Sequence, residues 1–205
     1  MPDSLYLSLW FPDVEGPAML PHILSVMQQF PFSESIPGIT YVSVQPVSWN
    51  EASVLERRFV PGIKPEEALV VAADMVHDDY AYMFDAHWDL WTPSETGSGI
   101  ETETEKEWQL VPSRVKFTAR GEEFDDTAYR ESGHIEVDLG LDAPFLQENI
   151  ALTEETQAKV RDNVAKLVEF AGKAEKNTRA NARLLWSESQ ENLAQKLVAR
   201  LQRVQ

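Results

Sequence analysis

From Tyr80 to Leu90 every even-numbered residue is apolar, and from Asp85 onward the odd-numbered ones are ionisable. Tyr80, Tyr82, Phe84, Ala86, Trp88 and Leu90 alternate with a set that ends in Asp85, His87 and Asp89. Side chains on a β-strand point to opposite faces with a period of two. The pattern therefore predicts one long central strand, with an aromatic face for a core and a second face bearing three ionisable groups in succession. The rest of the chain is read around it.

Upstream, Leu5, Leu7, Leu9 and Phe11 alternate with Tyr6, Ser8 and Trp10, which predicts a first strand. Asp13 is placed to cap a helix, with Pro17 in its first turn and Met19, Leu20, Ile23, Leu24 and Met27 on one stripe. Two further strands are expected over about 39–47 and 53–60, joined tightly through 49–52. Pro65, Glu66 and Glu67 open a short helix with acidic residues at its positive end. After the central strand, the Gly, Ser, Thr and Glu of residues 92–107 predict a solvated loop.

Residues 113–120 and 132–139 alternate in step and predict an antiparallel hairpin. In a register that sets Phe117 against Ile135 and Val115 against Val137, Arg114 faces Asp138 and Lys116 faces Glu136. Further on, Thr153 is expected to cap a helix with Val160, Val164, Leu167, Val168 and Ala171 on its buried stripe. Residues 181–186 predict a last strand, and Ser187 with Gln190 a capping box before a helix striped by Leu193, Leu197, Val198, Leu201 and Val204. Leu9-Trp10 and Leu185-Trp186 are each followed by Glu and Ala at the same offsets, a weak internal echo. Together these elements predict an α+β fold: a mostly antiparallel sheet, helices packed on one face, and long helices at the C-terminus.

The chain is 205 residues long, which suits a single α+β domain over 1–205, with a sub-boundary near residue 150 as the alternative. Charge shifts there. Residues 1–149 carry eight basic against 27 acidic residues, and residues 150–205 ten against seven. So acidic a body opposes binding to nucleic acid, which needs Lys and Arg to displace phosphate counterions. It favours a basic protein partner. The sequence has no cysteine, hence neither disulfides nor thiolate metal sites. It has no run of 18 apolar residues and no basic, apolar leader, so no membrane span is expected and a cytoplasmic setting is the default. Glycine-rich phosphate loops and nucleophile motifs are missing, and no cofactor is expected.

Three functions fit these residues. The leading one is a non-catalytic interaction module that uses its acidic surface, with a homo-oligomer through the C-terminal helix as an option. The second is an apolar-ligand pocket between sheet and helix, lined by Tyr82, Phe84 and Trp88. The third is a metal-dependent hydrolase with Asp85, His87 and Asp89 as ligands, since a His flanked by carboxylates on one strand face can coordinate a cation. A solvated strand face explains the same three residues without a metal.

Overall fold

The computed structural model describes residues 3–12, 14, 18–94, 107–125, 128–147, 152–188 and 193–202. Its strands are β1 (Ser4–Trp10), β2 (Ile39–Pro46), β3 (Leu55–Ile63), β4 (Tyr80–Pro93), β5 (Trp108–Arg120), β6 (Ile135–Leu141) and β7 (Ala182–Ser187). Its helices are α1 (Met19–Met27), α2 (Pro65–Ala73), α3 (Ala128–Ser132), α4 (Ala143–Leu146), α5 (Glu154–Asn177) and α6 (Leu193–Leu201). The strands make one seven-stranded sheet in the order β3-β2-β4-β5-β6-β1-β7, and every pairing is antiparallel. The fold is α+β. The expected Asp13 cap, Pro17, most of the 92–107 loop, Gln190 and Val204 lie outside the described residues.

Strand periodicity divides the sheet into two unlike faces. On the inner face one row crosses five strands as Val42, Phe84, Phe117, Val137 and Leu7, each the cross-strand partner of the next and each fully buried. Met19, Ile23, Met27, Val164, Leu167 and Leu197 of α1, α5 and α6 join these residues in one core. Phe30, just past α1, meets Trp88, Phe117 and Phe170 at centroid distances of 5.2–5.5 Å, a geometry worth stabilisation beyond area burial.

On the outer face the matching row crosses all seven strands as Arg58, Tyr41, Asp85, Lys116, Asp138, Tyr6 and Trp186. Opposite charges alternate along its middle, and Tyr6 stacks on Trp186 with centroids 4.7 Å apart. At one end of this face the turn after β5 folds back, so that Phe124 packs on Trp49 and Arg120 lies over the same indole. The other end stays open.

Three expectations need correction. β5 and β6 do pair with Phe117 buried, but Phe117 faces Val137, Lys116 faces Asp138 and Thr118 faces Glu136. A slip of two residues keeps every side chain on its face, so patterning alone does not distinguish the two registers. The long connection over 121–134 imposes no tight-turn register, and β5 also pairs along its whole length with β4. Arg114 therefore bonds Asp85 of β4 at 2.7 Å, and Arg120 takes Glu136 at 2.8 Å. Val168 is 44% exposed, and Phe170 occupies the buried stripe instead. Asn163 and Ala174 are buried as well and swing the centre of the stripe toward position 170, which at 3.6 residues per turn then lies closer to it than position 168. Val198 of α6 is likewise exposed, while Leu193 and Leu197 enter the chain's own core.

The cap and the strands behave as their residues require. Thr153 Oγ1 accepts the Thr156 N–H at 3.3 Å, and α5 runs from there through Asn177. Tyr82 Oη donates to the Met75 carbonyl and accepts the His77 N–H, tying the end of α2 to β4; burial pushes its phenol up to about 12. Asn163 solves a harder problem. β4 runs past the end of β2, leaving a strand edge with no partner strand among the described residues. The buried Asn163 amide accepts the Trp91 N–H at 2.9 Å and donates to the Trp91 and Pro144 carbonyls at 2.8 Å, acting as a one-residue stand-in for a neighbouring strand.

Two stability outcomes follow. Phe117→Ala should lose ~3–5 kcal/mol in urea unfolding, as for a fully buried aromatic side chain. Asn163→Ala strips the partners from three backbone groups and should lose ~2–4 kcal/mol. A loss below ~1 kcal/mol would show that the edge of β4 is satisfied by other means.

Candidate functional site

The open end of the outer face is a hollow of ≈ 820 Å³ over β2, β4 and β5. Asp85 and His87 of β4, Arg114 of β5, and Thr40 and Tyr41 of β2 line its floor. Register brings them together: Tyr41 lies across from Asp85, and Arg114 across from His87.

Both walls have local causes. On β3 the register jumps from Arg58 opposite Tyr41 to Ile63 opposite Ile39, so four residues, 59–62, bulge out against the single residue Thr40. Pro61 has no N–H to lose from the ladder and suits such a bulge. The facing wall is the turn over 33–37. Ser33 donates its N–H to the His87 carbonyl at 2.7 Å and its hydroxyl to Asp89 Oδ1 at 2.6 Å, while Asp89 Oδ2 accepts the Glu34 N–H at 3.0 Å. The walls meet at Gly38 and Gly62. A Cβ on Gly38, whose φ is +76°, would sit 2.3 Å from the Ile63 carbonyl oxygen; one on Gly62 would sit 2.2 Å from that of Pro37. Only glycine permits so close an approach.

The floor is polar and incompletely paired. Asp85 is 6% exposed, with Oδ2 on the Arg114 guanidinium, whose side chain is 58% exposed. Asp85 Oδ1 and His87 Nδ1 are buried and have no hydrogen-bond partner among the described residues. Arg58 lies over the Tyr41 ring, 5.6 Å from its centroid, and leaves its cation at the mouth. Ile36, Pro37, Phe59, Val60 and Pro61 give the walls an apolar lining.

The three carboxylate and imidazole groups of the central strand thus divide. Asp85 and His87 share the floor, while Asp89 is spent on anchoring the 33–36 turn. Among the described residues no group of three or more His, Asp or Glu side chains is placed to hold a metal ion. Tyr82, Phe84 and Trp88 are fully buried in the core and do not line this hollow. They pack against Phe30, Phe145 and the helices, because the face that carries them is the one α1 and α5 cover. His134, just before β6, accepts the Phe11 N–H at 3.0 Å and stacks on Tyr129. The sequence reading missed Tyr41, Arg58 and both walls. Arg114 had drawn notice only as a hairpin charge. A second hollow, of ≈ 760 Å³, opens between Leu90, Val111 and Leu139, and among the described residues Arg114 is the one charged residue in its lining.

No known protein family, curated protein or solved structure matches the chain. Among the described residues no helix is long and apolar enough to cross a membrane.

Burial moves the two floor groups in opposite directions. It pushes the Asp85 carboxyl up, against the opposing pull of Arg114, and pushes the His87 imidazole down, against the opposing pull of Asp85. The folded chain holds the Asp85 proton to higher pH than the unfolded chain, so this group's contribution to stability falls as pH rises through the folded value. For His87 the unfolded chain binds the proton more readily, and stability is lost as pH falls through the depressed value. In an NMR titration His87 should therefore change charge below the ordinary 6.5, and lower still in Asp85→Asn, which removes the neighbouring anion. A midpoint at or above 6.5 would refute this electrostatic description of the floor.

Proposed function

We propose that the protein is a non-catalytic binding module and that the hollow on the outer sheet face is its binding site. One observation carries the reading: two buried polar atoms, Asp85 Oδ1 and His87 Nδ1, lie without a partner among the described residues at the floor of a concave site with apolar walls. Buried polar atoms without partners cost about 1–3 kcal/mol each, and a hydrogen-bond donor arriving from a ligand relieves that cost. A volume of ≈ 820 Å³ and a mostly apolar wall around a few polar groups suit a small organic molecule.

The non-catalytic half of the reading has its own support. Among the described residues around the floor, no hydroxyl is hydrogen-bonded to His87; the Thr40 hydroxyl donates instead to the Asp85 carbonyl at 3.4 Å. Nucleophilic catalysis needs the nucleophile and base in contact. The acidic exterior remains available to a basic protein partner, but the hollow has a different electrostatic character. Half of the eight basic residues in 1–149, namely Arg58, Arg114, Lys116 and Arg120, stand on the outer face.

Fragment binding tests the site. Benzylamine and benzyl alcohol each join an apolar ring to a hydrogen-bond donor. Each should shift the NMR signals of Ile36, Tyr41, Val60 and His87, and do so more weakly in Asp85→Asn. If neither fragment shifts those signals at concentrations up to ~10 mM, a range that detects affinities weaker than about −4 kcal/mol, the hollow is not a binding site.

A further inference from the structure

We infer that the hollow is built for the zwitterion of an α-amino acid with a bulky apolar side chain. The inference rests on the binding-module reading above and names the ligand of that same site.

The floor is itself a zwitterion in mirror image. Asp85 and Arg114 form a carboxylate–guanidinium pair at 2.7 Å, with one end of each left over: Oδ1 of the buried carboxylate, and the exposed remainder of a guanidinium that carries five N–H donors. An α-ammonium and an α-carboxylate are held on one carbon, so such a molecule can lie along the pair with its charges reversed. The ammonium then donates to Asp85 Oδ1. His87, two residues on along the same strand face, offers Nδ1 as a second acceptor in the tautomer that carries its proton on Nε2. The α-carboxylate meets Arg114, with Arg58 as the second cation of the mouth. Charge-assisted pairs of this kind are shorter and stronger than neutral ones.

Other ligand classes leave part of the site unmet. A simple anion would pair with Arg114 and Arg58 while facing the unpartnered oxygen of Asp85. A simple cation would satisfy Asp85 while facing two arginines. A purely apolar molecule would fill the walls and bury the orphaned acceptors more deeply, at a further desolvation cost. The walls settle the side chain. Ile36, Pro37, Phe59, Val60 and Pro61 offer apolar surface, and the volume leaves room beyond the α-carbon for a leucine-sized or larger group.

The test uses the full chain with L-leucine, L-phenylalanine and L-tryptophan, each followed by titration calorimetry and by the NMR signals of Tyr41, Val60 and His87. At least one should bind at the hollow. Its N-acetyl derivative, which lacks the ammonium, and its amide, which lacks the carboxylate, should each bind ~10–100-fold more weakly, as expected for losing a charge-assisted contact. Asp85→Asn and Arg114→Gln should weaken the free amino acid to a similar extent. The ligand series decides the matter even if either variant fails to fold. Equal binding of the N-acetyl or amide form overturns the inference. So does a lack of binding by all three amino acids; if benzylamine or benzyl alcohol still shifts the hollow's signals, the binding-module reading survives, and if neither does, both fall together.

Discussion

The β4–β5 ladder runs unbroken from Ala81 opposite Arg120 to Pro93 opposite Trp108, and both faces of the protein hang on it. Its inner side sets Phe84 against Phe117, the pair on which Phe30, Phe170 and the helices close. Its outer side sets Asp85 against Lys116 and His87 against Arg114. The ladder also outruns its neighbours. Pairing with β2 stops at Asp85, and pairing with β6 stops at Lys116. A strand edge that continues beyond its partners carries backbone groups that must be satisfied in another way. Asn163 takes both polar groups of Trp91, Lys166 donates to the Asp89 carbonyl at 2.5 Å, and Ser33 donates to the carbonyl of His87. The last of these contacts draws the 33–37 turn over the outer face and so raises one wall of the hollow.

The two faces are stabilised by different physics. Apolar burial on the inner face is non-directional and tolerates any well-packed arrangement of similar volume. The outer face buries polar groups as well, among them Ser8, Ser43, Gln45, Thr118 and Arg120. Buried polar atoms are tolerable only when paired, and most of these are: Gln45 accepts the Ser53 hydroxyl at 3.0 Å and Arg120 binds Glu136. Asp85 departs from that rule. It keeps one oxygen on Arg114 and leaves the other without a partner among the described residues, on the floor of the hollow away from the turns over 47–51 and 121–125. Trp88 Nε1, Arg120 Nε and Ser187 Oγ of the same sheet are also buried without a partner among the described residues, but Asp85 and His87 are the two whose side chains line the hollow, and the binding proposal rests on that coincidence.

The alternation over 80–90, the stripes of α1 and α5, the Thr153 cap and the strand at Ala182–Ser187 were all legible in the chain itself. Each depends on spacing within a few residues, and spacing of that kind fixes which face of an element is buried. The same spacing put Asp85 and His87 on one polar face, so two of the five floor residues were visible from the residues alone. It also put Asp89 there, with nothing in its neighbourhood to show that its partner was Ser33, 56 residues away.

Sequence alone determined the class of fold, the identity of the central strand and the side to which each of its residues points. Tertiary structure alone decided strand order, the two-residue register between β5 and β6, and the assignment of Arg114 to Asp85 rather than Asp138. It also decided that Tyr82, Phe84 and Trp88 belong to a packed core, and that the cavity lies on the opposite face beneath a β3 bulge. The physical reason is the period of two. It tells each side chain which way to face, but any slip by an even number of residues satisfies it equally, and the choice among those registers comes from contacts between residues far apart in the chain.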